Sequence, residues 1–215
     1  MAKQARSERT VERLMVSAAG AFAVQGFARA TLAEVSSAAG VTKGALFFHF
    51  STKDELADAV QARARDVLES VVEDMRGADQ GFLQTAVDLT HVLHRLLRED
   101  TCVQASVRIT RERRGPAGAT LGFYPLWWGR LGKLLGEARR NGELAPSVTD
   151  LSARTLVTAA VTGVEALVWM ETSPEEAQRW LKDLWALVLP LLAAPGADIR
   201  TAPPSVMLTP PRTAC

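Results

Sequence analysis

Residues 31–53 read TLAEVSSAAGVTKGALFFHFSTK, two short helical segments parted by a glycine. Thr31 stands at an N-cap position, where its hydroxyl can accept from a free backbone N–H, and Glu34 three residues on completes a capping box. Leu32, Val35 and Ala39 then recur at helical spacing and form one apolar stripe. Gly40 follows, at the place where a chain leaving a helix takes a positive φ that a side chain penalises. A second helix restarts at once behind Thr42. Its early positions, Lys43, Gly44 and Ala45, are cationic or small, which suits a helix closing on a DNA groove to meet phosphates or base edges. In the aromatic run that follows, Phe50, and with it Leu46 and Phe48, reads as core, whereas Phe47 and His49 read as DNA-facing. A third helix begins near Ser51. Lys53 at its head combines a cation with free N–H groups, an arrangement that suits a phosphate.

Thr31, the stretch Ala39-Gly40-Val41-Thr42-Lys43-Gly44, the run Leu46-Phe47-Phe48-His49-Phe50 and Lys53 resemble the signature of the tetracycline-repressor family of one-component transcriptional regulators. The motif spans roughly residues 9 to 56, and the remainder is similar to the family in length and helical character. The resemblance implies that Thr31, Thr42, Lys43, Gly44, Ala45, Phe47, His49 and Lys53 line a DNA interface. Phe47 departs from the pattern. Its place is commonly held by a tyrosine whose hydroxyl reaches a phosphate, so here only apolar contact with a sugar or a thymine methyl remains.

The charge distribution fits that expectation. The 215 residues carry a net charge of only +1. Residues 1–53 nevertheless hold seven Lys/Arg against three Asp/Glu, a net +4, and residues 54–215 hold 18 against 21, a net −3. The positive field is confined to the DNA reader. Lys3, Arg6, Arg9 and Arg13 form a basic arm able to add phosphate contacts at the flank of a site. A hydrophobic content of 47% is ample for a buried core. The N-terminus does not read as a signal peptide, and no apolar run is expected to approach the ~20 residues that span a bilayer, so a cytoplasmic protein with no membrane partner is expected. Two cysteines, Cys102 and Cys215, make no disulfide framework and are expected as reduced thiols.

Periodicity along the rest of the chain predicts an all-α fold, since no window alternates with the two-residue period of a strand. Helices are expected over about Glu8 to Gln25, Lys53 to Met75, Phe82 to Arg98, Cys102 to Glu112, Phe123 to Asn141, Ser147 to Thr172 and Pro174 to Ala193. The run from Arg113 to Gly122 reads as a mobile loop. Three regions follow: a three-helix helix-turn-helix domain over 1–52, a helical ligand-binding and dimerisation domain over 53–194, and a Pro-rich, disordered tail over 195–215. The last two helices, about 151–172 and 174–193, carry more apolar residues than one packed face needs, which marks an interface. In the resembled family these helices pair with a second copy as a four-helix bundle, and the two-fold places two readers about one DNA turn apart.

The middle helices are expected to enclose a pocket. Phe123, Tyr124, Trp127 and Trp128 cluster after the mobile loop. Thr158 and Thr162 are polar groups one turn apart in an apolar helix, and Gln104 offers one more donor. Such a cavity suits a small, uncharged, oxygen-bearing organic molecule. The stretch GVTKGALFFHFSTKDELADAV, residues 40–60, together with Trp127 opening a helix in the ligand half, resembles the γ-butyrolactone autoregulator receptors of streptomycetes and their relatives that answer butenolides or antibiotics. That resemblance implies a ligand lying against Trp127 rather than Trp128. It also implies a dimeric repressor of antibiotic or secondary-metabolite genes that leaves operator DNA when the signal binds. A relative answering an antibiotic or another apolar drug, or no ligand at all, is the alternative.

An enzyme is not expected: there is no GxSxG elbow, no P-loop and no dinucleotide glycine fingerprint, and no catalytic residue or cofactor is assigned. His91 and His94, three apart on a predicted helix with Glu99 or Asp100 nearby, offer a metal-sensor reading. They lack further ligands at firm spacing, so no metal is expected.

Overall fold

The computed structural model describes residues 2–76, 80–113, 123–170 and 172–203. Among these, every regular element is a helix: α1 (Ala2–Gln25), α2 (Leu32–Ala38), α3 (Lys43–His49), α4 (Lys53–Arg76), α5 (Phe82–Glu99), α6 (Thr101–Glu112), α7 (Phe123–Arg140), α8 (Asp150–Trp169) and α9 (Pro174–Leu192). One isolated antiparallel bridge joins Leu144 and Ala193. The all-α expectation holds, and most helix ends fall within a few residues of those read from periodicity. The mobile loop expected beyond Arg113 lies outside the described residues.

The chain forms two compact units. One is built from Met1–Glu69 and Asp100–Leu126, the other from Ser70–Glu99 and Trp127–Pro210. The first two-thirds of α4 and all of α6 pack with the reader, because α6 lies along α1.

In the first unit, Leu14, Ala18, Phe22, Val35, Ala39, Leu46 and Phe50 of the reader are buried together with Leu56, Ala57 and Val60 of α4. Leu46 and Phe50 lie four apart on one face of α3, each contributing roughly 1.5–3 kcal/mol by burial. Phe48 is 82% exposed, against its expected place in the core. It stands two residues from both Leu46 and Phe50. Two steps of about 100° put it on the opposite side of the helix from the pair that is buried.

In the second unit, α5 is buried along nearly its whole length. Its N-terminus is capped from a distance: Glu143, in the turn after α7, accepts from the N–H groups of Phe82 at 3.2 Å and Leu83 at 2.7 Å. Trp185 of α9 is fully buried and its Nε1–H donates to Thr90 Oγ1 at 2.9 Å.

The segment after α9, expected to be disordered, is docked on α5 through Arg200 and Thr201. Gln84 accepts from the Arg200 N–H at 2.7 Å and donates to its carbonyl at 3.2 Å. The Arg200 guanidinium reaches Gln80 Oε1 at 3.1 Å and Asp88 Oδ2 at 3.7 Å. His91 Nε2 lies 3.0 Å from the Thr201 carbonyl. Burial pushes the Asp88 carboxyl up from its usual range, and Gln84 and Arg200 oppose that shift. Residues 204–215 lie outside the described residues.

Cys102 is buried in α6, and Cys215 lies outside the described residues. Asp150–Val168 is, by length and a mean hydropathy of 1.3, apolar enough to cross a membrane, although no such run was expected. Only a quarter of that window is buried. Ala153, Val157, Ala160 and Val164 form its inward stripe, while Leu151, Thr158 and Thr162 face outward.

Candidate functional site

The reader is assembled from local signals. Thr31 Oγ1 accepts from the Glu34 N–H, and the Glu34 carboxylate accepts from the Thr31 N–H at 2.9 Å, closing the capping box on α2. Gly40 turns the chain at φ +61°, and Arg13 of α1 donates to its carbonyl at 3.3 Å. That contact makes Arg13 a brace for the turn. Thr42 Oγ1 accepts from the Ala45 N–H and starts α3. Thr52 does the same for α4 through the Glu55 N–H, while the Glu55 carboxylate accepts from the Ser51 N–H at 2.7 Å.

These caps leave one side of α3 open. Thr42, Lys43, Gly44 and Phe47 are exposed, and Ala45 and His49 are half-buried beside them. Phe47 is 52% exposed. Phe48 joins this surface, with its ring edge-on to His49 at a centroid separation of 5.0 Å. Exposed aromatic faces on a short helix beside a lysine offer apolar contact to thymine methyls and sugars together with a donor for a phosphate. Periodicity alone contained the signal for Phe48, in its offset from Leu46.

Lys53 stands apart from this set. Its ammonium donates to the carbonyls of Phe27 at 2.8 Å, Ala28 at 3.2 Å and Ala30 at 3.2 Å, and it lies 4.5 Å from the centre of the Phe27 ring. Three donors meet three acceptors within the chain, so Lys53 braces the turn between α1 and α2.

The residues expected to line a ligand pocket are distributed over the two units. Thr158 and Thr162 are exposed, and Thr162 Oγ1 donates to the Thr158 carbonyl at 2.9 Å, the self-satisfied pattern open to a helical threonine. Gln104 is half-buried in α6, in the first unit. Trp127 is fully buried in α7 and Trp128 is 40% exposed. Phe123 opens α7, and its side chain lies outside the described residues.

None of these residues lines any of three cavities in the second unit. A cavity of about 550 Å³ is walled by Val72, Met75, Phe82 and Leu134, with Gln80, Arg130 and Lys133 supplying donors. Its volume suits a small organic ligand. A second, of about 250 Å³, is an apolar groove between α8 and α9 lined by Leu156, Ala159, Gly163, Leu167, Trp180 and Leu184. The third, of about 760 Å³, lies between the end of α9 and the docked segment, against Leu189, Pro190, Ile199 and Thr201.

The histidine pair carries no metal constellation, and no group of three or more His, Cys, Asp or Glu fit to hold an ion occurs among the described residues. His91 is engaged by Thr201. His94 is pushed down to about 4, first by burial and then by the charges of Arg98 and His91.

A three-helix bundle with capped helices on either side of a glycine turn, an open and cationic α3, and a helical second unit define a helix-turn-helix DNA-binding regulator. The model of bacterial regulatory proteins of the tetR family matches residues 14–60. The full-length structure of TylP, a TetR regulator from Streptomyces fradiae, is 31% identical and covers 86% of this chain and 87% of that one, with a TM-score of 0.64. The chain belongs to the TetR family of transcriptional regulators. It is also similar to the A-factor receptor protein of Streptomyces griseus, at 29% identity over 94% of this chain and 71% of that protein. A crystal structure of a γ-butyrolactone receptor gives 26% identity and a TM-score of 0.68, over 87% of this chain and 90% of that one.

Proposed function

We propose that this chain is a ligand-released repressor that binds operator DNA as a homodimer, answers a γ-butyrolactone-like signal and controls antibiotic or other secondary-metabolite genes. The observation that carries the reading is the likeness to the A-factor receptor protein along 94% of this chain, which extends far beyond the reader that all TetR regulators share. Thr31, Thr42, Lys43, Gly44, Ala45, Phe47 and His49 form the DNA face, to which the exposed Phe48 is added. The dimer forms through α8 and α9. Leu187 and Leu191 are each 75% exposed, and Trp180, 46% exposed, lines the apolar groove between the two helices. A subunit face of this kind accounts for the membrane-like hydropathy of α8 without a membrane, and a cytoplasmic regulator follows.

The ligand is a small, uncharged lactone or related molecule, and Trp127 is kept as its wall. A ligand releases DNA only if it favours a subunit shape in which the two readers no longer match the half-sites. The test is a gel shift of the purified protein on the DNA upstream of its own gene, repeated with synthetic γ-butyrolactones of varied acyl chain. A specific shift abolished by one of them is expected. A shift that none of them alters overturns the ligand assignment, and the absence of any specific shift on that DNA overturns autoregulation.

A further inference from the structure

The turn between α1 and α2 is gripped from α6 as well as from α4. Arg108 Nη1 donates to the last carbonyls of α1, Ala23 at 2.8 Å and Val24 at 2.7 Å. One turn along α6, Glu112 Oε2 accepts from the Ala28 N–H at 2.8 Å. The Glu112 carboxylate also fills the space a Cβ on residue 26 would need, and Gly26 has φ +88°, so this position excludes a side chain on two counts. Arg108 and Glu112 lie 3.7 Å apart and hold each other in register. Lys53 closes the carbonyls of Phe27, Ala28 and Ala30 from the α4 side. Arg113, just past α6, lies 6.0 Å from the Phe27 ring centre and pairs with Asp54 and Asp58 at the head of α4.

Arg108 and Glu112 therefore reach both edges of one turn. Arg108 takes the carbonyls that leave α1, and Glu112 takes an N–H on the way into α2. Hydrogen bonds of this length and direction do not stretch by an ångström, so the turn follows α6 or the contacts break. Residues 26–31 are the covalent link between α1 and α2, so this turn contributes to the orientation of the helix pair beside the packing of α2 on α1 and the Arg13–Gly40 contact.

We propose that Glu112 and Arg108 are positioning residues for DNA binding, which fix the attitude of the helix pair through the α1–α2 turn. That positioning role rests on the DNA-binding reading above. Neither residue touches DNA in this scheme. Their loss lowers the population of the binding-competent attitude while the number of phosphate contacts stays the same.

The experiment measures the affinity of purified full-length variants, with the active fraction titrated, for duplexes that the wild-type protein selects from a random pool, over a salt series. Glu112→Ala is expected to weaken binding about tenfold with an unchanged slope of log Kd against log salt. Glu112→Gln, which keeps an oxygen for the Ala28 N–H, is expected to stay within about threefold of wild type. Gly26→Ala is expected to reproduce the loss, and the double variant Gly26→Ala/Glu112→Ala to bind better than the product of the two singles allows, because the steric conflict needs both partners.

Wild-type affinity in folded Glu112→Ala, a shallower salt slope, or losses that multiply would each overturn the positioning role. Arg108→Lys guards against a Glu112→Ala chain that does not fold. It keeps the charge but replaces the planar fork, so it is expected to bind more weakly than wild type with the same slope, and unchanged affinity there also defeats the proposal. A wild-type chain that selects no duplex defeats the DNA-binding reading itself, an outcome distinct from one in which wild type selects and the variants match it.

Discussion

In the reader, Thr31, Thr42 and Thr52 each accept from a backbone N–H three residues along the chain. In the second unit Asp88 faces Arg200, His91 meets Thr201, and Trp185 reaches Thr90, partners that lie about a hundred residues apart. These threonines start the reader's short helices, which leave the α3 face open, and Arg13 and Lys53 brace its turns from partly exposed positions. The second unit buries the polar side chains of α5 as struts between elements. The physical lesson is that the two regions fail in different ways. A lost cap frays one helix by about 1 kcal/mol, whereas a lost strut leaves a buried partner unsatisfied as well.

Trp185→Ala presses hardest on this contrast. Removing a fully buried indole and its bond to Thr90 is expected to cost about 3–5 kcal/mol. Amide hydrogen exchange should accelerate along α5 and α9 while α2 and α3 keep their protection. Equal loss in both regions would erase the distinction drawn above.

Acid comes next. The folded-state pKa of His94, about 4, lies below its ordinary 6.5, so its contribution to stability is present above about pH 6.5 and is lost as the pH falls toward 4. Asp88 is shifted upward and works the other way. Chemical denaturation across that window should therefore show falling stability in wild type and a shallower fall in His94→Asn. Parallel curves would remove His94 as the source.

Lys53→Ala ranks third. Loss of three carbonyl contacts and the Phe27 ring is expected to lower stability by about 2 kcal/mol, without changing the salt dependence of DNA binding. A slope reduced by about one contact would show that the lysine exchanges its carbonyls for a phosphate on DNA. The smallest effect belongs to Thr31→Ala, about 1 kcal/mol in thermal or urea melts and confined to the start of α2.

The same contrast explains what could be read from the sequence. Caps, the Gly40 turn and the apolar spacing of α2 and α3 operate over three or four residues, so the letters themselves display them. Phe48 was misplaced because the run of aromatics was weighed by composition, when its angular offset from Leu46 and Phe50 already put it outside. The carbonyl contacts of Lys53 could not be read for a different reason: its acceptors, Phe27, Ala28 and Ala30, are backbone groups, and no residue type announces them. Arg108 and Glu112 escaped notice on the same ground. In the second unit Thr158 and Thr162 were assigned inward because they interrupt an apolar helix. An outward apolar face produces the same interruption, and only packing tells the two apart. Gln84 and Asp88 gave no sign that a proline-rich segment more than a hundred residues later would lie on them.

That segment bears on how genetic lesions in this chain should be interpreted. A nonsense codon just after Pro195 would yield a product over nine-tenths of full length, the kind of allele a screen records as a trimmed end. It would remove Arg200 and Thr201, leaving a buried carboxylate at Asp88 without its counter-ion and His91 without its carbonyl. Such an allele belongs with missense changes inside α5, and suppressors of it are expected at Asp88 before anywhere else.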